Sequence, residues 1–380
     1  MKLKTIAIAA VYVTLVFLVI RATPTSEALL HDAGSYYHAT SSIWTNTFID
    51  RGYVVALSLI MRLVGGDNII ALQIANYLFW LVSCWLIYKS LTHLGAKHSK
   101  LTSLLMVFSP LYLTFSAKLY SEPFAALGVS LLLYGVSAHG SLALLIGSVI
   151  LGSTKSLFIP GIILLAFYYL FRREFKRFVP LLFGTLILIP VFVSSLGGGR
   201  SLYNLAVERA KLDQSYDQIL SCVPYYLSYP LGVKLLPQYE GVCHQNDPDP
   251  SMIGYQSNPY IRAVEIRAKG FTYLDWWQGI VQHPVKYVLV FIVGLFNLVL
   301  FEGVYPSILL QMSPWLIPII FIVTKLALVS YLWLKVIKVG KRTWSYLFPL
   351  IYLVIMVGNF QVEPRYIYPL IPYIYFLVGL

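Results

Sequence analysis

The chain has 380 residues, of which 58% are hydrophobic and 12% are charged, and its mean hydropathy is +0.73. Soluble domains carry about 25% charged residues, so this composition excludes a water-soluble globular protein. Apolar runs of about 15 to 25 residues recur along the whole chain. The sequence therefore predicts an all-α fold: a polytopic transmembrane helical bundle of about 10 or 11 membrane segments with one large external loop.

The formal net charge of +12 comes from short basic clusters beside apolar runs. The clusters are Lys2 and Lys4; Lys89, Lys97 and Lys100; Arg172, Arg173, Lys176 and Arg177; and Lys335, Lys338, Lys341 and Arg342. Lysine and arginine at segment ends mark the cytoplasmic side of a membrane protein. The charge therefore indicates orientation in a bilayer and disfavours nucleic acid as a partner.

The predicted elements begin with a first helix over residues 5 to 20. We expect it to be retained, because no small-residue cleavage site follows it. From a cytoplasmic N-terminus, this helix delivers residues 22 to 51 to the outside as a first external loop. Residues 52 to 65 form a moderately apolar segment in the membrane interface, and residues 68 to 91 cross inward.

The next runs alternate across the membrane and complete an N-terminal transmembrane module over residues 1 to 196. The runs are 101 to 119, 123 to 137, 142 to 151, 158 to 171 and 178 to 195. They place Glu122 and Lys155 on the external side, the same side as Asp32. Residues 197 to 283 then form the large external loop.

A C-terminal transmembrane module covers residues 284 to 380. Two full crossings after residue 284 would put the last basic cluster outside, so we predict that residues 284 to 312, interrupted by Glu302, Gly303 and Pro306, are broken or re-entrant. Residues 344 to 360 then lead out to Arg365.

Three cysteines are present. Cys84 lies in an apolar run and is interpreted as packing. Cys222 and Cys243 both lie in the large loop, and we predict that they are close enough to form a disulfide if that loop faces an oxidising compartment.

Carboxylates segregate in the first 130 residues: the predicted topology places every acid outside or at the outer boundary. These acids are Glu27, Asp32, Asp50, Asp67 and Glu122. A carboxylate near the bilayer is costly unless it is solvated or paired, so a cluster at one face indicates a candidate site. An ordinary surface loop is the alternative, and it is preferred for Asp50 and Asp67.

Asp32 stands in an aromatic-rich stretch with His31, Tyr36 and Tyr37. Sugar-handling sites need a carboxylate that takes a proton from an attacking hydroxyl and flat rings that stack against a pyranose. The stretch therefore suits sugar chemistry, although histidines such as His31 are more often interface residues than ligands or bases.

Glu122 follows Ser121 and precedes Pro123, where it can accept N–H bonds in the first turn of a helix, so a capping role and a functional role both stay open. Lys155 and Arg365 are lone cations at external helix ends and suit a lipid-linked phosphate. Snorkelling to headgroups is the alternative for both. The sequence has no P-loop, dinucleotide fingerprint, zinc spacing or nucleophile elbow.

The order and predicted sidedness of several short motifs resemble the GT-C superfamily of membrane glycosyltransferases, which includes protein O-mannosyltransferases and the aminoarabinose transferase of lipid A. The matching segments are Asp32 with Tyr36 and Tyr37, Arg51-Gly52-Tyr53, Asn76-Tyr77, Phe108-Ser109-Pro110, Ser121-Glu122-Pro123, Gly152-Ser153-Thr154-Lys155 and Pro364-Arg365-Tyr366. The likeness covers most of the chain except residues 197 to 282.

The resemblance implies a polyprenyl- or dolichyl-phosphate sugar as donor and inverting transfer to a glycan, lipid or protein acceptor. Asp32 would be the general base and Glu122 a support for Asp32 or the acceptor. The donor phosphate would be bound by Lys155, Arg365 and Tyr366. The implied substrate-binding residues are His31, Tyr36, Tyr37, Arg51 and Lys118.

Two departures from the family pattern bear on mechanism and on branch. The usual acidic pair is here a single Asp32 preceded by His31, which disfavours a metal-dependent mechanism. We therefore expect no cofactor and name no metal ligands, with a divalent metal as the alternative that the sequence does not indicate. The Pro-Pro that often opens the next segment is absent at Arg51-Gly52-Tyr53, which disfavours the aminoarabinose and protein-mannosylating branches. The expected location is a bacterial or archaeal plasma membrane, with the site on the external face.

Two other function classes stay open. A polysaccharide polymerase or O-antigen ligase would use arginines of the large loop, namely Arg200, Arg209, Arg262 and Arg267. A transporter or flippase would need charges inside its helices, where only Arg62 and Lys325 occur, and is ranked third. In a transferase, the loop aromatics would recognise the acceptor or cover the site; these are Tyr203, Tyr216, Tyr225, Trp276 and Trp277.

Overall fold

The computed structural model describes residues 2–29, 32–40, 51–155, 158–197, 199–228, 243, 259–300, 323 and 370–380. Every regular element within these ranges is a helix, so the predicted all-α class is confirmed. The N-terminal helices are α1 (Lys2–Ala22), α2 (Thr25–Ala28), α3 (Asp32–Ala39), α4 (Arg51–Val64), α5 (Ile69–His93), α6 (Ser99–Val107), α7 (Pro110–Phe115), α8 (Glu122–Ala138), α9 (Ser141–Thr154), α10 (Ile159–Phe171) and α11 (Phe175–Gly197).

The remaining helices belong to the second half of the chain. They are α12 (Gly199–Asp213), α13 (Tyr216–Ser228), α14 (Pro259–Ala268), α15 (Tyr273–Gln282), α16 (Pro284–Leu300) and α17 (Ile371–Gly379). The segment predicted as one large loop is therefore largely helical in its described part. Its helix α12 packs against α14 and α15, and α13 packs against α16.

The N-terminal bundle is built on close helix pairs. Helix α8 packs against α5 and α9, and α11 packs against α9 and α10. A Cβ at Gly128 would lie 2.8 Å from the Leu151 nitrogen, and one at Gly147 would lie 2.8 Å from the Leu132 nitrogen. Small residues thus let the backbones of α8 and α9 approach, which is how apolar helices associate where water provides no driving force.

The run predicted over residues 101 to 119 is not one helix. It divides at Ser109-Pro110 into α6 and α7, because proline has no N–H to donate and restricts the residue before it. Residues 116 to 121 then form an irregular segment that leads into α8.

The predicted disulfide between Cys222 and Cys243 is present, with 5.2 Å between the two Cα atoms. Apolar side chains of α12, α13 and α16 pack around it; they are Leu212, Ile219, Val290 and Val293. The bridge therefore ties residue 243 to α13, and the cluster around it includes side chains of α16.

Helix α16 is continuous to residue 300, and the predicted interruption at 302 to 306 lies outside the described residues. The last basic cluster, from Lys335 to Arg342, also lies outside them. Helix α17 packs against α5, α6 and α8, so the end of the chain returns to the N-terminal bundle.

The bundle has two chemically different ends. At one end, Arg177 Nη2 donates a hydrogen bond to the Val136 carbonyl (2.7 Å), Ser141 Oγ donates to the Lys176 carbonyl (3.1 Å), and the His93 and Tyr134 rings lie 6.0 Å apart. These contacts bring together the end of α5, the α8–α9 turn and the start of α11. The basic clusters at residues 89 to 100 and 172 to 177 therefore gather at this end.

Helix α5, with 25 residues, is long and apolar enough to cross a membrane, and half of its apolar window is buried against the rest of the chain. It is the one such helix in the described part of the chain. Shorter apolar helices accompany it, among them α8, α9 and α10.

Candidate functional site

The segment between α7 and α8 is held at the opposite end of the bundle by amide side chains of α5. Gln73 Nε2 donates to the Ala117 carbonyl (2.6 Å), and Asn76 Nδ2 donates to the Lys118 carbonyl (3.0 Å). The Leu119 N–H donates to the Ala28 carbonyl at the end of α2 (3.1 Å). These bonds satisfy backbone groups of an irregular segment that would otherwise be buried without partners.

Asn76 also links this segment to α4 and α3. The Tyr53 hydroxyl donates to Asn76 Oδ1 (3.0 Å), and the Tyr53 ring makes an edge contact with Tyr36 at 5.5 Å between centroids. Phe124 of α8 completes the aromatic group, 6.1 Å from Tyr53. Tyr36, predicted to bind substrate, therefore lies buried in the core against Tyr53.

The start of α4 packs directly on the end of α9. A Cβ on Gly52 would overlap the hydroxyl of Ser153, so glycine is needed at this position for the contact. The packing places two motif segments that are 100 residues apart, Arg51-Gly52-Tyr53 and Gly152-Ser153-Thr154-Lys155, side by side.

The Lys155 ammonium and the Glu122 carboxylate form a buried ion pair, with Nζ and Oε1 3.5 Å apart and side chains that are 7% and 1% exposed. The interpretation of Lys155 as a lone cation is therefore wrong. Glu122 does not cap α8 either: in the described structure its carboxylate oxygens accept no hydrogen bond, and the N-cap residue Ser121 makes no side-chain capping bond.

Buried charge concentrates at this end of the bundle. Four charged side chains are buried among the described residues, and three of them, Lys118, Glu122 and Lys155, belong to the α7–α8 segment and the end of α9. Burying a charge is expensive unless it is paired, so the bundle here must supply compensating groups. The hydroxyl of Thr154, next to Lys155, is also buried and has no hydrogen-bond partner among the described residues. We name Lys118, Glu122, Thr154 and Lys155 the buried polar group.

Tyr37 joins α3 to the turn between α4 and α5. Burial and the nearby Asp67 carboxylate raise the pKa of Tyr37. Asp67, interpreted from the sequence as an ordinary loop acid, therefore lies close enough to α3 to act on Tyr37. The Tyr37 ring lies 5.5 Å from the His38 ring.

The other predicted residues are placed only in part. Asp32 is the first residue of α3, and its side chain lies outside the described atoms, as do His31, Arg365 and Tyr366. Arg51 is the partly exposed first residue of α4. The position of the Asp32 carboxylate relative to the buried polar group therefore stays a prediction.

The sequence analysis did not predict that Gln73, Asn76 and Tyr53 form the hydrogen bonds that hold this end of the bundle together. A signal for the two amides was available, because Gln73 and Asn76 are polar, stand three residues apart in an apolar run, and therefore share one helix face. The positions of Tyr53 and Asn76 in the sequence did not predict the hydrogen bond between them.

Two of the loop arginines that a polymerase or ligase would use form ion pairs within their own helices. Arg209 pairs with Asp213 within α12, and Arg262 pairs with Glu265 within α14 (2.6 Å). Trp277 and Tyr216 are exposed, whereas Trp276 is partly buried.

The described residues contain no group of three or more His, Cys, Asp or Glu side chains that could hold a metal ion. Comparison with protein-family models, with curated proteins and with solved structures finds no match to this chain. Function must therefore be inferred from the arrangement at the α3, α5, α8 and α9 ends.

Proposed function

We propose that this chain is a multi-pass membrane glycosyltransferase that transfers a sugar from a polyprenyl- or dolichyl-phosphate donor to an acceptor at the non-cytoplasmic face. The observation that carries the proposal is the meeting of separate motif segments at one bundle end. Contacts between pairs of them link the first turn of α4 to the end of α9 and to the amide face of α5, that amide face to the α7–α8 segment, and the start of α8 to the end of α9.

Membrane embedding is supported by the outward faces of the helices. Large apolar side chains are exposed on most of them, including Leu78 and Trp85 on α5, Phe171 on α10 and Phe183 on α11. Soluble proteins rarely expose so much contiguous apolar surface, because its contact with water is unfavourable. A bilayer would cover these faces.

The distribution of charge supports the proposed side of the site. Basic clusters favour the cytoplasmic side, and those of the described bundle gather around Arg177 and the α8–α9 turn. The buried polar group lies at the other end, so it would face the compartment in which lipid-linked sugars are used.

The proposed reaction is a single displacement. Asp32 takes the proton of an acceptor hydroxyl as the acceptor oxygen forms a bond to the anomeric carbon, and the bond from that carbon to the phosphate oxygen breaks on the opposite face. Configuration inverts, and the lipid phosphate leaves as an anion. Cations stabilise this departure without a general acid, a part that we assign to Lys155 and Arg365, while the neutral Tyr366 would bind the donor phosphate through its hydroxyl.

In this scheme, Glu122 is a positioning residue. Its carboxylate holds the Lys155 ammonium at the helix ends, 3.5 Å away. A lysine side chain has four rotatable bonds and loses conformational entropy when a ligand fixes it. Because the ion pair with Glu122 already restricts Lys155, donor binding would lose less entropy at this side chain.

The test is incubation of purified protein with a panel of radiolabelled polyprenyl-phosphate sugars and candidate acceptors, with Asp32→Asn as the variant. Asp32→Asn keeps the size of the side chain but removes the proton acceptor, so turnover should fall by roughly 10² or more while the protein stays folded. Asp217→Asn is the matched control, since Asp217 is exposed in the first turn of α13 and should keep its activity. Near-normal turnover by Asp32→Asn would refute the assigned base.

A further inference from the structure

Helix α15 is fixed in orientation at its start and on one face. Thr272 and Asp275 form a reciprocal capping box at its N-terminus, in which the Thr272 N–H donates to Asp275 Oδ2 (2.7 Å). The Thr272 hydroxyl, which donates to the same oxygen (2.7 Å), and the Thr272 N–H together lower the pKa of Asp275. On the inner face, a Cβ at Gly279 would lie 2.5 Å from Arg209 Cδ, so α15 lies close against α12 at this glycine.

The face opposite Gly279 is apolar and exposed. Leu274, Trp277 and Val281 are 67%, 59% and 62% exposed. At 100° per residue these three positions fall within about 60° of one another on the side away from Gly279. An amphipathic helix of a soluble protein turns such a stripe toward the core, whereas α15 turns it away from α12.

The exposed pattern continues into the next helix. Val285, Val288 and Ile292 of α16 are 67%, 54% and 43% exposed, and their spacing of three and four residues puts them on one face of that helix. The other side of α16 is occupied, because Val290 and Val293 pack around the disulfide. Non-helical His283 separates the two helices, so α15 and the apolar helix of 17 residues that follows it each present an exposed apolar face.

Charge and aromatic content indicate what covers this surface. Residues 259–300 contain four basic residues and two acidic residues, and Trp276, Trp277 and Tyr273 lie at the junction of polar and apolar sequence. Tryptophan and tyrosine are enriched where membranes meet water, and basic residues there favour anionic headgroups.

We propose that the α15 face formed by Leu274, Trp277 and Val281 lies in the outer interfacial layer of the bilayer, and that α16 enters the membrane from it. This inference rests on the membrane embedding in the proposed function. It fixes the helices of the large loop at the membrane surface, the level at which a lipid-linked donor presents its headgroup.

The test uses nitroxide labels in the full chain, reconstituted in nanodiscs of phosphatidylcholine and phosphatidylglycerol. Labels are introduced by Leu274→Cys and Val281→Cys, and Gln282→Cys is the matched control on the polar side of the same helix. Leu78→Cys, on an exposed position of α5, is the reference for a membrane span. Cys84 is buried and the other two cysteines are bridged, so the native cysteines stay unlabelled.

Collision with oxygen, which concentrates in lipid, is compared with collision with a water-soluble nickel chelate. We expect labels 274, 281 and 78 to shift toward oxygen and label 282 to shift toward nickel. If labels 274 and 281 collide mainly with the nickel chelate while label 78 collides mainly with oxygen, this inference is overturned and membrane embedding stays intact. If all four labels collide mainly with the nickel chelate, both this inference and membrane embedding are overturned. Spin–spin broadening at 274, with neither reagent in contact, would assign the surface to a second copy of the chain and overturn the lipid assignment.

Discussion

Replacing Glu122 by glutamine removes the negative partner of a buried ammonium group. The Glu122 and Lys155 side chains are 1% and 7% exposed, and their charged atoms are 3.5 Å apart. Glutamine has almost the same shape as glutamate, so packing is preserved and the loss is electrostatic. We therefore expect the variant to leave Lys155 as a buried cation without its carboxylate.

The magnitude follows from the burial of the pair. Removing one member of a buried ion pair costs about 3–5 kcal/mol, because the remaining charge keeps its desolvation cost. At about 1.3 °C for each kcal/mol in a chain of this size, the apparent melting temperature should fall by roughly 4–6 °C. Glu265→Gln is the matched control: its ion pair with Arg262 has side chains that are 53% and 49% exposed, so the expected cost is below about 1 kcal/mol.

The assay is thermal unfolding of detergent-purified protein at one scan rate, in a double-mutant cycle with Lys155→Met. Both single variants should be destabilised, and the double variant should recover much of the loss, because it contains neither buried charge. Wild-type stability in Glu122→Gln, or additive losses in the double variant, would refute the assignment of a coupled buried pair. Donor binding by the recovered double variant should still be weaker if Lys155 contacts phosphate.

Three further predictions concern groups elsewhere in the chain. Asn76→Ala removes a hydrogen bond to the Lys118 carbonyl and one from the Tyr53 hydroxyl, and should cost about 1–3 kcal/mol for each buried hydrogen bond lost, measured as a loss of thermal stability. Intact-mass analysis of denatured, thiol-blocked protein should find one blocking group without reductant and three after reduction, because Cys222 and Cys243 are bridged. Burial raises the pKa of Glu208 above its ordinary value of 4.5, against the opposing effect of Lys211. The folded protein thus holds this proton more tightly and loses stability as pH rises above that value, so Glu208→Gln should gain stability relative to wild type as pH rises. If the difference in melting temperature between Glu208→Gln and wild type does not change with pH, the raised pKa of Glu208 is contradicted.

Much of the fold could be predicted from the sequence because apolar run length and basic clusters are local signals. The runs over residues 68–91, 123–137 and 158–171 correspond closely to α5, α8 and α10. Ser109-Pro110 is also a local signal, for the break between α6 and α7. The prediction missed this break because it considered only the apolar character of residues 101 to 119. The helices inside the segment from 197 to 283 were missed, because their mixed polarity gives weak periodicity.

The candidate site was predictable only as a list of segments. Lys155 was interpreted as a lone cation, and Glu122 was left open between a helix cap and a functional residue, because the sequence neighbours of these two residues offer no charged partner. The pairing arises when the end of α9 reaches the start of α8, a contact between residues 33 positions apart. The Cys222–Cys243 bridge was the exception, since two cysteines in one external loop offer a single pairing.

The sequence by itself determined the all-helical class, the apolar character of the chain and the separation of basic clusters from acids, because each of these depends on composition along short windows. Tertiary structure decided which polar groups meet. Glycines 52, 128 and 147 set how closely the helices approach, and the amides of α5 hold the segment that carries Lys118. A buried charge requires a partner wherever the fold can supply one, and only packing brings Glu122 to Lys155.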